Sequence, residues 1–352
     1  RKERISAEDG RKTTYRVRVP DRSAKRYGVI FMLHDYSQGA LELLEGPYGK
    51  FADQGAYLIV GPEAKKLASG KGNPDLPPSI LGSPTQHWWS YRDDGFVAAL
   101  LDHLGDRFPI DRDRVVLSGR GMGGSGTWNL GMRFPDRFSA IVPIAGGLSM
   151  ADYQSDGLTE PYTHLIDNLR SLPSFCIHNS ENMFVPTRFS QLLTEELEAR
   201  EFDHTYEEVD GRNLNLGAET PVMQKVARWL SGKKRASHPE FVEHVVIDDQ
   251  HPRQHWLRID AREDDGTKAV IRGRIVDGNR IEIETENVAA FTVFLPDSVG
   301  EEPTVVHGEV VLHEGPLELS ADALIESWRD RRDPGLLYTR MVRHGEGRDG
   351  SD

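Results

Sequence analysis

Short apolar runs alternate with longer amphipathic stretches over roughly the first two-thirds of the chain. Continuous apolar runs at 28–33 and 56–60 predict buried central strands. The run 14–20 sets Arg16 and Arg18 outward and Val17 and Val19 inward, which predicts an edge strand. Further strands are predicted at 115–117, 139–143, 174–178 and 204–209, with helices at 95–108, 123–134, 188–199 and 221–230. This alternation predicts an α/β fold with a mostly parallel central sheet and helices on both faces.

The pattern changes after Ser231. Alternating segments at 256–261, 269–276, 280–285 and 291–295 predict a small β-rich domain, and the turn Asp277-Gly278-Asn279 predicts a hairpin within it. A helix is predicted at 320–332, ending before Pro334. We therefore predict domains at 1–235 and 236–344, followed by a disordered tail at 345–352.

Composition narrows the classes of partner. The 352 residues carry a net charge of -13, which argues against nucleic acid, because binding to phosphates needs clustered Lys and Arg. No apolar run reaches the length of a membrane span, so the sequence predicts a soluble chain without membrane insertion. The sequence, which starts at Arg1, shows no hydrophobic core typical of a signal peptide. The compartment stays open, and export with a signal that this chain lacks is one expectation.

The segment 115–124 is an apolar strand that runs into a glycine-rich turn and then a helix. This is the context of a nucleophile elbow, in which Gly119 and Gly123 let strand and helix pack closely while the central residue points into the site. The central residue is Gly121, which has no side chain. Ser118 and Ser125 lie on either side of the turn, so their side chains are not expected to point into the site as that of a central elbow residue does.

The residues around this elbow carry a family resemblance, through the motifs Met122-Gly123-Gly124, Gly126-Thr127-Trp128, 133–138, 141–144 and Gly146-Gly147. They resemble the serine-esterase branch of the α/β-hydrolases that includes polyhydroxybutyrate depolymerase-like and feruloyl-esterase-like proteins. The resemblance covers about 15–230 and implies an α/β-hydrolase fold, and the C-terminal region resembles β-domains appended to some bacterial members. In that family a serine at the elbow attacks the ester carbonyl after a histidine accepts its proton.

The same resemblance places the other two triad positions on non-catalytic residues. The segment from His178 to Pro186 resembles the family's acid loop and puts Asn182 at the acid position. The segment Asp210-Gly211-Arg212-Asn213-Leu214 resembles the histidine turn and puts Leu214 at the base position. Gly121, Asn182 and Leu214 are thus predicted to be vestigial, with no catalytic residue. His204 is either a displaced base or a surface histidine at a strand start.

Six residues are candidates for a ligand pocket: His34, Asp35, Tyr36, Met122, Trp88 and Trp89. The first three follow a strand and resemble the strip that completes the family's oxyanion hole. Asp35 replaces the usual glycine there, where its carboxylate either repels an oxyanion or caps a turn. The Met122 N–H lies at a helix N-terminus and can donate to a ligand. The tryptophan pair suits sugar or aromatic rings, or packs its loop down.

The sequence contains no metal-binding spacing and no phosphate loop, so neither a metal nor a cofactor is predicted. The predicted function is that of an inactive, esterase-like pseudoenzyme that serves as a ligand-binding, protein-docking or structural module. Its partner is a carbohydrate or aromatic-ester ligand, or a protein assembly. The alternative is an active carboxylic-ester hydrolase with a rearranged, non-serine site that uses His204 or a residue of the C-terminal domain.

Overall fold

The computed structural model describes residues 2–6, 12–35, 44, 46–63, 65–66, 86–87, 95–148, 153–154, 157–158 and 165–345. The chain divides into two compact units, the first formed by Arg1–Tyr162 and Leu172–Arg235 and the second by Thr163–Ser171 and Ala236–Asp352. The segment Thr163–Ser171, which the sequence pattern placed in the first domain, belongs to the second unit, because Asn168 exchanges hydrogen bonds with the backbone of Val245. Of the tail predicted at 345–352, residues 346–352 lie outside the described residues.

The first unit is built on an eight-stranded sheet. Its strands are β1 (Lys2–Ser6), β2 (Lys12–Arg18), β3 (Tyr27–Leu33), β4 (Tyr57–Pro62), β7 (Ile110–Arg120), β8 (Ala140–Ile144), β11 (Ser174–Asn179) and β12 (His204–Val209), in the spatial order β1-β2-β4-β3-β7-β8-β11-β12. The six strands from β4 to β12 are parallel, and β1 and β2 are antiparallel additions at one side. Two short antiparallel pairs stand apart from this sheet, formed by β5 (Lys65–Lys66) with β6 (Gln86–His87) and by β9 (Tyr153–Gln154) with β10 (Gly157–Leu158). The predicted mostly parallel sheet is confirmed.

Helices lie between successive parallel strands: α1 (Gly49–Gly55), α2 (Gly95–Gly105), α3 (Met122–Arg133) and α4 (Thr187–Ala199). A further helix, α5 (Pro221–Leu230), follows the last strand of this sheet, β12. The continuous apolar runs of β3 and β4 are buried along almost their whole length, as expected for central strands covered on both faces. The described helices are too short or too polar to cross a lipid bilayer.

The prediction that the segment 14–20 forms an edge strand is wrong. β2 is flanked by β4 on one side and by β1 on the other, so β1 forms the edge. Val19 was expected to point inward but is 48% exposed, because the strand ends at Arg18 and the alternation stops with it. Hydrophobic alternation reports which face of a strand is buried and carries no information on a neighbour contributed by another segment.

The second unit contains two β-sheets and a helix. One sheet has the order β13-β16-β17-β19-β20, from β13 (Phe241–Val246), β16 (Ala269–Val276), β17 (Arg280–Glu286), β19 (Thr304–His307) and β20 (Val310–Glu314). The other has the order β14-β15-β18-β21, from β14 (Arg253–Gln254), β15 (Leu257–Arg262), β18 (Val288–Phe294) and β21 (Met341–His344). The predicted hairpin joins β16 to β17, with Asp277 and Gly278 at positive φ. Helix α6 (Ala321–Arg331) begins after Ser320, whose side chain accepts a hydrogen bond from the Ala323 N–H.

Candidate active site at the strand-to-helix elbow

The elbow forms at the end of β7, where Gly121 alone separates the strand from helix α3. Gly121 has φ 57° and ψ -118°, a conformation that glycine adopts without a steric penalty. Its N–H donates to the Ile144 carbonyl oxygen at 2.9 Å, and its own carbonyl accepts from the Ser125 N–H at 3.0 Å. A Cβ at Gly123 would clash with the Leu33 carbonyl, so close packing of strand and helix requires glycine there. The backbone thus keeps the geometry of a nucleophile elbow.

The space beside Gly121 is filled by the carboxyl group of Asp35. A Cβ built on Gly121 would lie 2.5 Å from Cγ and 2.6 Å from Oδ1 of Asp35, and closer still to Oδ2. A serine at this position would therefore collide with Asp35 at its first side-chain atom. Gly121 and Asp35 are complementary in volume, since the Asp35 carboxyl group occupies the space that a side chain at position 121 would need.

The same carboxylate accepts a hydrogen bond from the backbone N–H that follows the elbow residue. The Met122 N–H donates to Oδ1 of Asp35 at 3.1 Å. Met122 is the first residue of α3, where the helix dipole favours a negative charge. Of the two roles predicted for Asp35, this contact agrees with capping. The carboxylate caps the N-terminus of α3, however, and not a turn of its own loop. A carbonyl oxygen of a ligand would have to displace this carboxylate to reach the N–H.

His34 lies next to this carboxylate in sequence and is completely buried. Its Nδ1 is 2.8 Å from the backbone oxygen of Asp35, and its Nε2 is 3.7 Å from Oε2 of Glu63. The imidazole is therefore oriented by a backbone carbonyl and a partly exposed carboxylate.

Asn182 has a local structural role. Its Oδ1 accepts from the N–H groups of Phe184 and Val185, both at 2.9 Å, and its Nδ2 donates to Oδ1 of Asn179 at 2.9 Å. The amide therefore organises the loop between β11 and α4. A neutral amide cannot supply the charge that stabilises an imidazolium.

Leu214 belongs to the hydrophobic core, where it is 7% exposed in the same cluster as Ile144, Ile177 and Met223. A core leucine offers neither a proton acceptor nor access to a ligand. Leu214 therefore has a packing role in this structure.

His204 lies at the wrong end of the sheet for a displaced base. It is in register with Ser174, Ile141 and Leu117, four residues before the elbow and three strands away from it. With about 3.3 Å per residue and about 4.8 Å between strands, the separation from Gly121 is roughly 20 Å. The Nδ1 of His204 is 3.0 Å from the Phe202 carbonyl oxygen. Of the two alternatives predicted for His204, the register disfavours the displaced base and agrees with a histidine at the start of a strand, because parallel strands begin at the sheet edge opposite the elbow.

The two serines beside the elbow are held in structural contacts. Ser118 is buried, donates to the Val142 carbonyl at 2.8 Å and lies 3.0 Å from the Tyr48 hydroxyl. Ser125 accepts from the Gly147 N–H at 3.2 Å. Tyr36, Trp88 and Trp89, predicted as pocket residues, lie outside the described residues. Within the described ranges, no group of three or more His, Cys, Asp or Glu side chains is arranged to hold a metal ion.

Sequence reasoning assigned no role to His178, a buried histidine near the end of β11. Nδ1 of His178 lies 2.7 Å from the hydroxyl of Ser190, and Nε2 lies 3.0 Å from the Val185 carbonyl. Burial lowers the pKa of His178, although the Val185 carbonyl opposes this shift by favouring the protonated ring. Ser190 in turn donates to the Gly146 carbonyl at 3.0 Å. His178 therefore ties the loop between β11 and α4 to helix α4.

Two exposed apolar side chains were also missed. Met183 and Phe184 follow Asn182 and are 76% and 81% exposed. They stand on the loop after β11, at the same edge of the parallel sheet as the elbow. The pair was visible in the sequence as two adjacent large apolar residues within a polar loop. Such residues, when they are exposed, can mark an interaction site.

No family model matches the chain. One curated relative is an uncharacterized secreted protein of Arthroderma benhamiae, 28% identical over 152 residues, which are 36% of this chain and 16% of that protein. The chain therefore spans only a small part of the length of this relative.

Solved structures of esterases resemble the chain more broadly. A CE1 ferulic acid esterase from Anaeromyces mucronatus, in complex with ferulic acid, has a TM-score of 0.50 at 16% identity and covers 66% of this chain and 89% of its own. A thermostable esterase has a TM-score of 0.49 at 21% identity and covers 66% of this chain and 63% of its own. At such identities the likeness concerns the fold. Together with the parallel sheet and the strand-to-helix elbow, the likeness to the ferulic acid esterase shows that the chain contains an α/β-hydrolase fold.

Proposed function

We propose that the first unit is a catalytically inactive, esterase-like module that works by binding and not by hydrolysis. The observation that carries this proposal is the Asp35 carboxylate, which fills the space beside Gly121 and accepts the Met122 N–H. An acyl-enzyme needs a nucleophile at the elbow and a donor available to the developing oxyanion. In this chain the nucleophile is absent and the donor is engaged by an internal anion.

The vestigial acid and base positions support the same proposal. Asn182 is engaged by its own loop, and Leu214 is part of the core. Where a triad is removed from a serine protease, binding and oxyanion stabilisation leave about 10³- to 10⁴-fold catalysis over water. With the Met122 donor also occupied, we expect this chain to fall below that residual level.

Ester hydrolysis by a rearranged site is the competing function. Its one specific support is the position of Asp35, a carboxylate where the nucleophile of a serine esterase would lie. Turnover would then need a base that activates water against an acyl-aspartate. His204 is too far from the elbow to serve, and the Nδ1 of the neighbouring His34 faces a backbone carbonyl. The assay described below separates this function from binding alone.

Among the binding roles, the exposed loop tip favours protein docking. Met183 and Phe184 are presented by a loop whose backbone is fixed by the Asn182 amide, so little order has to be gained on binding. Methionine and aromatic residues are enriched at the cores of protein interfaces. The tip is flanked by two exposed ion pairs, Glu181 with Arg212 and Arg188 with Glu195, which resemble the polar rim of an interface.

The secreted relative supports export as the location, although the chain spans only 16% of that protein. The second type of partner that we propose for this module is a carbohydrate or aromatic-ester ligand. Such a ligand would have to enter without the Met122 N–H, because Asp35 accepts from it.

Hydrolysis of p-nitrophenyl acetate and butyrate, together with labelling by a fluorophosphonate probe, tests the absence of catalysis. We expect the purified chain to match buffer in rate and to remain unlabelled, while an active serine esterase serves as the positive control. Saturable turnover above buffer that is abolished in Asp35→Ala would replace the proposal by hydrolysis through Asp35.

Site-specific photo-crosslinking tests the docking role. A photoreactive amino acid replaces Phe184 in one variant and Val19, 48% exposed in the same unit, in the control. In extract of the source organism we expect one defined crosslinked product at position 184 and none at position 19. Identical patterns at both positions would exclude the Met183 and Phe184 tip as a docking site.

A further inference from the structure

Two histidines of the second unit meet although they come from strands of different sheets. His307 ends β19 and His344 ends β21, and their ring centroids are 5.2 Å apart with an interplanar angle of 65°. Both rings pack against Phe291, at centroid distances of 5.3 Å for His307 and 5.1 Å for His344. Phe291 is completely buried, whereas both imidazoles are partly exposed. The pair therefore stands on an apolar base and opens to solvent.

The separation of the two rings matches the requirement of one metal ion. Zinc binds histidine nitrogen at about 2.0–2.1 Å in tetrahedral geometry, so two imidazoles on the same ion have ring centroids about 5 Å apart. Two imidazoles that only pack against each other can also have this centroid separation, although nothing requires it. The distance alone thus permits chelation, and the hydrogen bonding of the rings supplies the second argument.

The hydrogen bonding of the two rings leaves nitrogen atoms available to a metal ion. Nε2 of His307 lies 2.9 Å from the hydroxyl oxygen of Thr285, which fixes the ring and accepts from Nε2–H when Nδ1 is the ligand. Over the described part of the chain, neither Nδ1 of His307 nor either ring nitrogen of His344 forms a hydrogen bond.

We propose that His307 and His344 form a binding site for a divalent transition-metal ion such as Zn²⁺ or Cu²⁺, with water completing the coordination. Because the described residues contain no third ligand in a common cluster, the site is open and binds more weakly than a closed structural zinc site. Imidazole ligands suit zinc and copper, and Cu²⁺ binds more tightly than Zn²⁺ to a given set of nitrogen ligands. An ion held there would link β19 of one sheet to β21 of the other.

The test uses the full chain and three variants, His307→Gln, His344→Gln and the control His313→Gln. His313 lies on β20 of the same unit, and its Nε2 is 2.9 Å from the Gly315 carbonyl oxygen. In calorimetric titration with Zn²⁺ we expect each pair variant to bind at least about tenfold more weakly than the wild type, a loss of about 1.4 kcal/mol. We expect the control to bind as the wild type does. Circular dichroism checks that each variant is folded.

A second measurement needs no variant. At less than one equivalent of Cu²⁺, the wild-type chain should show selective broadening of the imidazole proton signals of His307 and His344, among its 13 histidines. Electron paramagnetic resonance of bound Cu²⁺ should report two nitrogen ligands in the wild type and one in either variant. Unchanged Zn²⁺ affinity in both variants, loss in only one of them, or broadening centred on other histidines would each overturn the two-histidine site.

Discussion

The carboxyl group of Asp35 and the missing side chain of Gly121 share one volume at the end of β7. Cγ of Asp35 lies 2.5 Å from the position that a Cβ of residue 121 would take. Oδ1 of Asp35 accepts a hydrogen bond from the Met122 N–H at 3.1 Å. A side chain at 121 and a carboxylate at 35 therefore exclude one another. This relationship ties the missing side chain at Gly121 to the carboxylate that caps helix α3.

Gly121→Ala is expected to destabilise the chain through two effects. A side chain at φ 57° and ψ -118° is strained by about 1–3 kcal/mol, and the Cβ collides with Asp35. Urea unfolding should show a lowered midpoint. Gly232→Ala is the matched control, because a Cβ there meets no atom within 4 Å and the variant should keep the wild-type midpoint.

The double variant Asp35→Ala with Gly121→Ala measures the shared volume directly. Because the collision is absent when residue 35 is alanine, the double variant should be less destabilised than the sum of the single variants, by at least about 0.5 kcal/mol. Strict additivity would mean that the carboxylate moves aside without cost.

Asp35→Ala alone should lower the free energy of unfolding by about 1 kcal/mol, because the Met122 N–H at the start of α3 loses its anionic acceptor. Asp35→Asn keeps a neutral acceptor and should lose less. Equal stability of the alanine and wild-type chains in urea unfolding would argue against a capping role. Neither variant should gain hydrolysis of p-nitrophenyl esters.

Asn182→Ala should loosen the loop between β11 and α4 without a large effect on global stability. The N–H groups of Phe184 and Val185 lose their acceptor, so their hydrogen exchange should accelerate about tenfold, as expected for the loss of about 1.4 kcal/mol of local protection. Asn182→Asp keeps the acceptor and loses only the donor to Asn179, so an intermediate acceleration is expected. Exchange rates equal to those of the wild type in both variants would contradict the assignment.

His178 should make stability depend on pH. Its pKa in the folded chain is lowered from 6.5, chiefly by burial, so the unfolded chain binds the proton more tightly. The resulting stability is fully present above about pH 6.5 and is lost as the pH falls through the folded-state pKa. Urea unfolding from pH 8 to pH 5 should show this decline in the wild type and a smaller one in His178→Gln. Parallel declines in both chains would assign the effect to other groups.

Much of this protein can be predicted from local sequence. Strands β3, β4, β12 and β16 and helix α5 follow from apolar runs, alternation and helical periodicity, because a buried strand or an amphipathic helix needs a specific pattern of side chains. The elbow was equally predictable, since the turn between β7 and α3 demands small residues at Gly119 and Gly123. The absence of a side chain at Gly121 is a property of the sequence itself.

The tertiary structure decided which distant residues meet. That Asp35 fills the space beside Gly121, that β1 covers the free side of β2, and that His204 stands at the far end of the sheet all depend on pairing between segments far apart in the chain. The meeting of His307 and His344 across two sheets is of the same kind. Local patterns record how each segment is buried, whereas such contacts arise from strand order and register, which are set by the packing of the whole unit.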